Sequence, residues 1–276
     1  MTAVSLKRIL KDANKNKYAV AGLVVLGWDD ALAFTQAADE TGIPIILQAG
    51  PSCRAHTPVP ILGKMFRYLA DQTKTHICCH IDHGYTIREC IDGIDSGFTS
   101  VMFDGSKLSL KENIKITSSI VKKAHNSKVS VEGEIGFVGY ANGKNSKGTL
   151  IDEAIKFSRE SNVDAMAISV GNTHLQTKKI AKIDFDKIQK IQNSISTPLV
   201  LHGGSGIPNQ TRKKLAKETN IAKFNIGTEV RMAFGNALKS QVKKHPLVFD
   251  RLQLLKPTIP GIKKITKKII KNIGPK

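Results

Sequence analysis

Short apolar runs alternate along this chain with longer segments in which apolar residues recur every third or fourth position. The runs at 18–26, 44–49, 76–82, 100–104, 129–134, 165–171, 198–203 and 221–227 are rich in Val, Ile, Leu and Ala and predict strands. They are nearly continuous rather than alternating, as expected for strands buried on both faces of a parallel sheet. The segments 29–41, 60–73, 86–96, 109–126, 151–161, 184–194, 208–219 and 228–243 carry the helical period. Asp29 or Asp30, Asp152, Asp184 and a first-turn Pro208 supply start signals for four of them.

Repeated strand–helix alternation implies a parallel sheet with right-handed crossovers, and eight strands are what closes a (β/α)8 TIM barrel. A doubly wound open sheet is the competing topology. It would gather its polar residues at one switch point, whereas here they collect at the C-terminal ends of several strands. No repeat, low-complexity stretch or linker divides the 276 residues, which predicts a single α/β barrel domain over 1–276 with a basic tail from about 244.

Composition adds constraints. The chain is 41% apolar, yet no run approaches the ~20 residues that span a bilayer. The opening MTAVSLKRILKDANKNKYAV has neither a long apolar core nor a cleavage site and predicts no secretory leader. Cys53, Cys78, Cys79 and Cys90 form no CxxC pair and read as structural thiols of a reducing cytoplasm. The net charge of +19 invites a nucleic-acid reading. Against it, the lysines are spread along the chain, and the densest cluster, from Lys256, alternates with Ile as an amphipathic helix with a solvated basic face. Such a charge attracts anionic metabolites in general, and neither a nucleic-acid nor a membrane partner is expected.

Chemistry-bearing residues sit at the predicted strand ends. The third ends in His80-Ile81-Asp82-His83-Gly84, a proton-carrying carboxylate beside a metal-type imidazole. Alternation would aim Asp82 and His83 apart, so both serve one site only if the strand breaks, which Gly84 permits. The sixth leads into His174 and the seventh into His202, so His83, His174 and His202 can form a three-imidazole Zn2+ site with an open position. His80 reads as a hydrogen-bond partner behind the ligands. Asp104 and Glu134, at the ends of the fourth and fifth strands, either supply a second oxygen-rich metal position or orient the histidines. Glu132 shares a strand face with Glu134. Gly203-Gly204-Ser205-Gly206 precedes one helix and Asn225-Ile226-Gly227-Thr228 opens the next. Loops after the last two strands of a barrel often hold phosphate on backbone N–H groups.

Together, His80–Gly84, Ser100–Asp104, Val131–Gly136, Gly171–His174, Leu201–Ser205 and Asn225–Thr228 resemble, in order, six motifs of the class II fructose-bisphosphate/tagatose-bisphosphate aldolases. The resemblance runs from about residue 76 to 243. It implies Zn2+ or another divalent metal on His83, His174 and His202, with Asp104 and Glu134 at an alternative or second metal position. Asp82 becomes the acid/base at the C4 oxygen of a ketose like fructose 1,6-bisphosphate. Gly203, Ser205, Asn225 and Thr228 would hold the phosphate of dihydroxyacetone phosphate, with Gly204 and Gly227 in the same loops. It further implies a homo-oligomer, dimer or tetramer.

The departures are local. Leu175 follows His174 where the family usually has glycine, the N-terminal Phe-Asn element is absent, and no serine aligns after the second strand. The loop after the fifth strand lacks the usual carboxylates; Gly139, Gly143 and Gly148 predict a mobile lid, and Tyr140 is a candidate proton donor. These changes surround the substrate, so the aldehyde half is expected to differ from glyceraldehyde 3-phosphate or to be bound differently, with Arg54 and His56 as candidate contacts to a distal anion and Arg231 or Arg251 as weaker ones. Rival readings are a Schiff-base aldolase using Lys223, a metal-dependent isomerase or epimerase, and a non-enzymatic basic binding protein.

Overall fold

The computed structural model describes residues 2–141, 143 and 145–275. In chain order the elements are α1 (Leu6–Lys15), β1 (Val20–Val25), α2 (Trp28–Thr41), β2 (Ile45–Ala49), α3 (Pro51–His56), α4 (Val59–Asp71), β3 (Ile77–Gly84) and α5 (Ile87–Asp95). There follow β4 (Ser100–Phe103), α6 (Leu110–Asn126), β5 (Ser130–Ile135), α7 (Ile151–Ser161), β6 (Ala165–Ile168), α8 (Phe185–Gln192), β7 (Leu199–Leu201), α9 (Asn209–Glu218), β8 (Ile221–Ile226), α10 (Thr228–Lys244), α11 (Arg251–Leu255) and α12 (Ile259–Ile273). The strands pair in parallel and in sequence order, and β8 returns to β1, closing a (β/α)8 barrel.

The barrel interior is stratified. At its base Val20, Ile46, Cys78, Ala165 and Val200 pack against Leu6, Ile9 and Leu10 of α1, which plugs the N-terminal opening. Two residues further along the same strand faces, alternation replaces them with Gln48 and His80, joined by Glu132 and Lys223. Two residues beyond His80, at the C-terminal rim, comes Asp82. The outward strand faces and the helices form the larger apolar core, from Leu23 and Phe34 to Phe157 and Ile269.

Three features were not foreseen. α1 precedes the first strand, and the six-residue α3 is too short to display a period. The segment beyond 244 is no appended tail. α12 lies on α2, against α9, α10 and β1, and buries Ile262, Ile269, Ile270 and Ile273. Ala19 N–H donates to Ile273 O at 2.8 Å, and Lys263 and Lys267 pair with Glu40. The amphipathic reading holds for this helix, but its apolar face completes the outer layer. No helix among the described residues is long and apolar enough to cross a membrane.

Ile269 is 3% exposed. Ile269→Ala is expected to cost about 2–4 kcal/mol in urea unfolding, whereas Lys268→Ala, on the solvated face of the same helix, should stay within about 0.5 kcal/mol of wild type.

Candidate active site

Three imidazoles meet at the C-terminal rim. The ring centroids of His83 and His202 are 4.6 Å apart, those of His83 and His174 5.4 Å, and those of His174 and His202 5.6 Å. Each ring offers a nitrogen within 4.8 Å of the others.

His83 gets there by breaking its strand. The β3–β4 register shifts between Ile81 and Gly84, and His83 itself takes the left-handed conformation with φ 52°. The break therefore falls one residue before the glycine expected to permit it. Gly84 serves a different need: a Cβ there would lie 2.8 Å from Met102 O and 2.9 Å from Cys90 Sγ. In the β6 loop Asn172 accepts from Val170 N–H and donates to Ile168 O and His202 O, tying the His174 loop to the end of β7. Gly203 has φ 65°, and a Cβ would come within 2.1 Å of Thr173 O, so only glycine lets these two loops close.

Hydrogen bonds behind the rings decide which nitrogen faces inward. His83 Nδ1 is 2.8 Å from Asp104 Oδ2, leaving Nε2 for the centre. Asp104 Oδ1 accepts from the N–H and hydroxyl of Ser106, so both carboxylate oxygens are engaged and the residue orients His83. His202 Nε2 is 3.1 Å from Glu132 Oε1, and Lys223 Nζ donates to Glu132 Oε2 at 2.5 Å. Lys223 also stands 3.4 Å from His80 Nε2, whose Nδ1 meets Ser100 Oγ at 2.8 Å. Lys223 is thus held by an ion pair beneath the site, not presented to a substrate as a Schiff base requires.

Two atoms are left over. His202 Nδ1 and Glu134 Oε2 are buried without hydrogen-bond partners, 3.5 Å apart and at the centre of the cluster. Orphaned buried nitrogen and oxygen atoms of this kind fit a divalent cation, as does the three-imidazole donor set. His83, Asp104 and Glu134 form a second group with the same proximity.

The electrostatics follow. Burial, then the neighbouring His202 and His83, push His174 down to about 3, and burial with His83 drives His202 well below its ordinary value. Burial opposes charge on His83 as well, but Asp82, the hydrogen bond to Asp104 and the Glu134 charge outweigh it and raise the ring to about 9. Burial, then Asp104, pushes Glu134 well above the carboxylate range.

A cavity of about 310 Å³ opens beside the rings, lined by Asp82, His83, His174, Ser205, Thr228 and Arg231 among others. Asp82 is 5% exposed, and its Oδ1 accepts from Asn225 Nδ2 at 3.0 Å. That bond takes one of the two N–H donors of the Asn225 side chain, which also lines the cavity and keeps its second N–H donor. Gly203, Ser205, Gly227 and Thr228 do line the cavity. Gly204 does not, because it packs against Asn225 O and the Ile226 side chain. Ser205 Oγ caps Glu229 N–H at the start of α10.

Arg54 also departs from expectation. It is not a substrate contact: its guanidinium is buried and donates to Ala49 O, Asp82 O, His83 O and Glu89 Oε1. His56 is bonded to Thr57 Oγ1 and, like Arg251, is outside the cavity wall. Tyr140 stacks on His174 at 4.9 Å, and burial with the Asp104 and Glu134 charges raises its phenol pKa. The loop that carries it is hydrogen-bonded down, Ala141 N–H to His174 O and His174 N–H to Gly139 O. Gly143 and Gly148 lie in the same loop. Leu175 holds φ 58°, the left-handed conformation a glycine would take. Sequence reasoning missed the roles of Arg54, Asn172 and the Glu132–Lys223 pair, all set by long-range partners.

The sequence matches the family described as "Fructose-bisphosphate aldolase class-II" over residues 4–276. A 6-phospho-5-dehydro-2-deoxy-D-gluconate aldolase of Shouchella clausii is 33% identical, covering 99% of this chain and 95% of the relative. A fructose-bisphosphate aldolase of Geobacillus stearothermophilus is 31% identical, over 95% of this chain and 94% of the relative. Among solved structures, the YdjI aldolase of Escherichia coli superposes with a TM-score of 0.87 at 26% identity, covering 98% of this chain and 97% of that one.

Metal uptake should release a proton, because His83 holds one up to about 9 while His174 and His202 are already neutral. The bound proton competes with the ion, so affinity should rise with pH by at least about tenfold per unit below 9. Zn2+ titration calorimetry in buffers of different ionisation enthalpy is expected to count at least one proton at neutral pH, from His83 and from the raised Glu134 beside it; zero protons would refute it.

Proposed function

Since the chain belongs to the class-II fructose-bisphosphate aldolase family and is therefore a carbon–carbon lyase, we propose that its barrel mouth cleaves and forms the C3–C4 bond of a phosphorylated ketose, with dihydroxyacetone phosphate as one product. The observation that carries this is the convergence of three imidazoles with a carboxylate whose one oxygen is fixed by Asn225.

His83, His174 and His202 are the residues to hold the cation, and zinc suits three nitrogens with one position open. Glu134, with its unpartnered oxygen, completes the alternative position, with His83 and Asp104. When bound, the ion supplies Lewis acidity at the ketose carbonyl. The protein does the rest. Asp82 Oδ2, on the side of Gly50, accepts the C4 hydroxyl proton as the C3–C4 bond breaks and returns it in the synthetic direction. Gly203, Ser205 and the Gly227–Thr228 start of α10 present N–H and hydroxyl donors to the phosphate, beside Arg231. Tyr140, kept protonated by its surroundings, stands over His174 as proton donor to C3.

The rest of the wall supports an altered aldehyde half. Val24, Tyr85, Tyr140 and Leu175 face the cavity, and Arg231 is the one Lys or Arg that lines it among the described residues. One cation and one helix start among the described residues suit a single phosphate, which supports an aldehyde half other than glyceraldehyde 3-phosphate. We further propose a homo-oligomer, supported by Leu247, Phe249 and Leu252 beyond α10, which are 90%, 95% and 73% exposed. Four buried free thiols support a cytoplasmic location.

A cleavage assay across fructose and tagatose bisphosphates, ketose 1-phosphates and 6-phospho-5-dehydro-2-deoxygluconate tests the reading. Turnover should vanish with EDTA and return with Zn2+, and should yield two fragments; one product would mean isomerisation. The highest kcat/KM should fall on a substrate other than fructose bisphosphate. His202→Ala should lose the metal, whereas Asp82→Asn should keep it and lose about 10²- to 10⁴-fold in kcat. Light scattering should give a multiple of the chain mass that Phe249→Lys lowers.

A further inference from the structure

We propose that Arg54 is a positioning residue for this reaction, its guanidinium setting the break in β3 that brings Asp82 and His83 into one cavity. The inference rests on the aldolase reading above.

The break removes two residues from the sheet. β2 pairs with β3 only as far as Ile81, and β4 pairs with His80, Ile81 and Gly84. Asp82 and His83 therefore have no ladder partner on either side. Their buried carbonyls still need donors, and Arg54 provides them: Nη1 donates to Asp82 O at 2.6 Å and Nη2 to His83 O at 2.9 Å. The same Nη1 donates to Ala49 O at 2.7 Å, at the end of β2. One planar fork thus substitutes for the missing ladder and fixes the left-handed His83 between two strand ends.

The clamp extends further. Arg54 Nη2 meets Glu89 Oε1 at 3.1 Å, and Glu89 Oε2 accepts from Tyr85 N–H at 2.8 Å and Thr86 N–H at 3.0 Å. Through Glu89 the guanidinium therefore holds the backbone of Tyr85, whose ring stacks on His83 with centroids 6.3 Å apart. Arg54 also anchors α3, whose first residues Pro51 and Ser52 line the cavity next to Gly50. A lysine at 54 would keep the charge but lose the two parallel donors. Among the described residues Arg54 and Glu89 share no hydrogen bond with Gly203, Ser205, Gly227 or Thr228, so failure of the clamp should appear in metal grip and proton transfer rather than in substrate affinity.

The test compares wild type, R54K, R54A and the surface control R88A. Zn2+ affinity is read by competition with a chromophoric chelator, and kcat and KM on the best ketose phosphate of the panel. R54K should bind Zn2+ about 10- to 100-fold more weakly and lose kcat by about 10²-fold, with KM little changed. R54A should show the same losses, partly restored by added guanidinium ion, while R88A matches wild type. Wild-type Zn2+ affinity and kcat in R54K would overturn the proposal. So would a loss confined to KM, which would make Arg54 a substrate contact, or a lowered Tm with both parameters intact, which would make it merely structural. If R54A does not fold, R54K alone decides. Absence of Zn2+ binding or ketose cleavage in wild type would instead remove the aldolase reading on which this rests.

Discussion

Four carboxyl groups, those of Asp82, Asp104, Glu132 and Glu134, are packed into the mouth of one barrel; burial pushes Glu134 toward its neutral form, and the charge that remains must be met from within. Lys223 answers Glu132. The other three surround His83, which is why that ring is driven to hold a proton while its two neighbours are driven to release theirs. Burying an unpaired charge is among the costliest acts in folding, so the mouth is balanced only with added positive charge. A proton on His83 supplies one unit. A divalent ion on the same three rings would supply two, and would satisfy the orphaned atoms of His202 and Glu134 that a proton on His83 leaves alone. The proposed metal site and the proposed acid/base Asp82 would thus be one electrostatic arrangement.

A barrel of regular strands does not build such a mouth. Alternation delivers every second residue inward, but Asp82 and His83 are adjacent and His174 lies beyond the end of β6. The backbone departs from ordinary conformations where convergence demands it: His83 and Leu175 at positive φ, and Gly203 pressed against Thr173. For a non-glycine residue each such departure costs about 1–2 kcal/mol. Side chains hold them in place, Arg54 at the end of β3 and Asn172 between β6 and β7. Strain and its restraints sit on the same few residues as the chemistry, as at other functional sites.

This division explains what the sequence disclosed. His83, His174 and His202 were legible because each follows a buried apolar run, and eight such runs imply closure into a barrel whose rims are shared. Local patterns also gave the glycine turn at 203–206. What was not legible depends on partners far along the chain. Lys223 and Glu132 are 91 residues apart and Asn225 and Asp82 are 143 apart. A lone lysine on a strand reads as a nucleophile until its carboxylate is seen, and an arginine after a strand reads as an anion contact until its fork is found on main-chain carbonyls. α3 escapes because six residues show no helical period, and in the basic C-terminal segment the Ile/Lys alternation shows an amphipathic helix with a solvated basic face but not the surface on which its isoleucines dock.

Leu175 carries the argument about specificity furthest. A leucine in the left-handed region is strained in any surroundings, yet here it keeps the turn that a glycine would make and leaves the preceding His174 among the other two rings. The turn is therefore fixed by its hydrogen bonds to the 137–148 loop and by the packing of Gly203 on Thr173, not by the residue that occupies it. Under that condition a side chain can be added to the cavity wall without disturbing the imidazoles beside it. Leu175 is half exposed and projects where Val24, Tyr85 and Tyr140 also stand. Rim loops held rigid from behind can change what fills the cavity while the three imidazoles and Asp82 stay where the chemistry needs them. A single fold can therefore retain carbon–carbon bond cleavage while the aldehyde it releases changes.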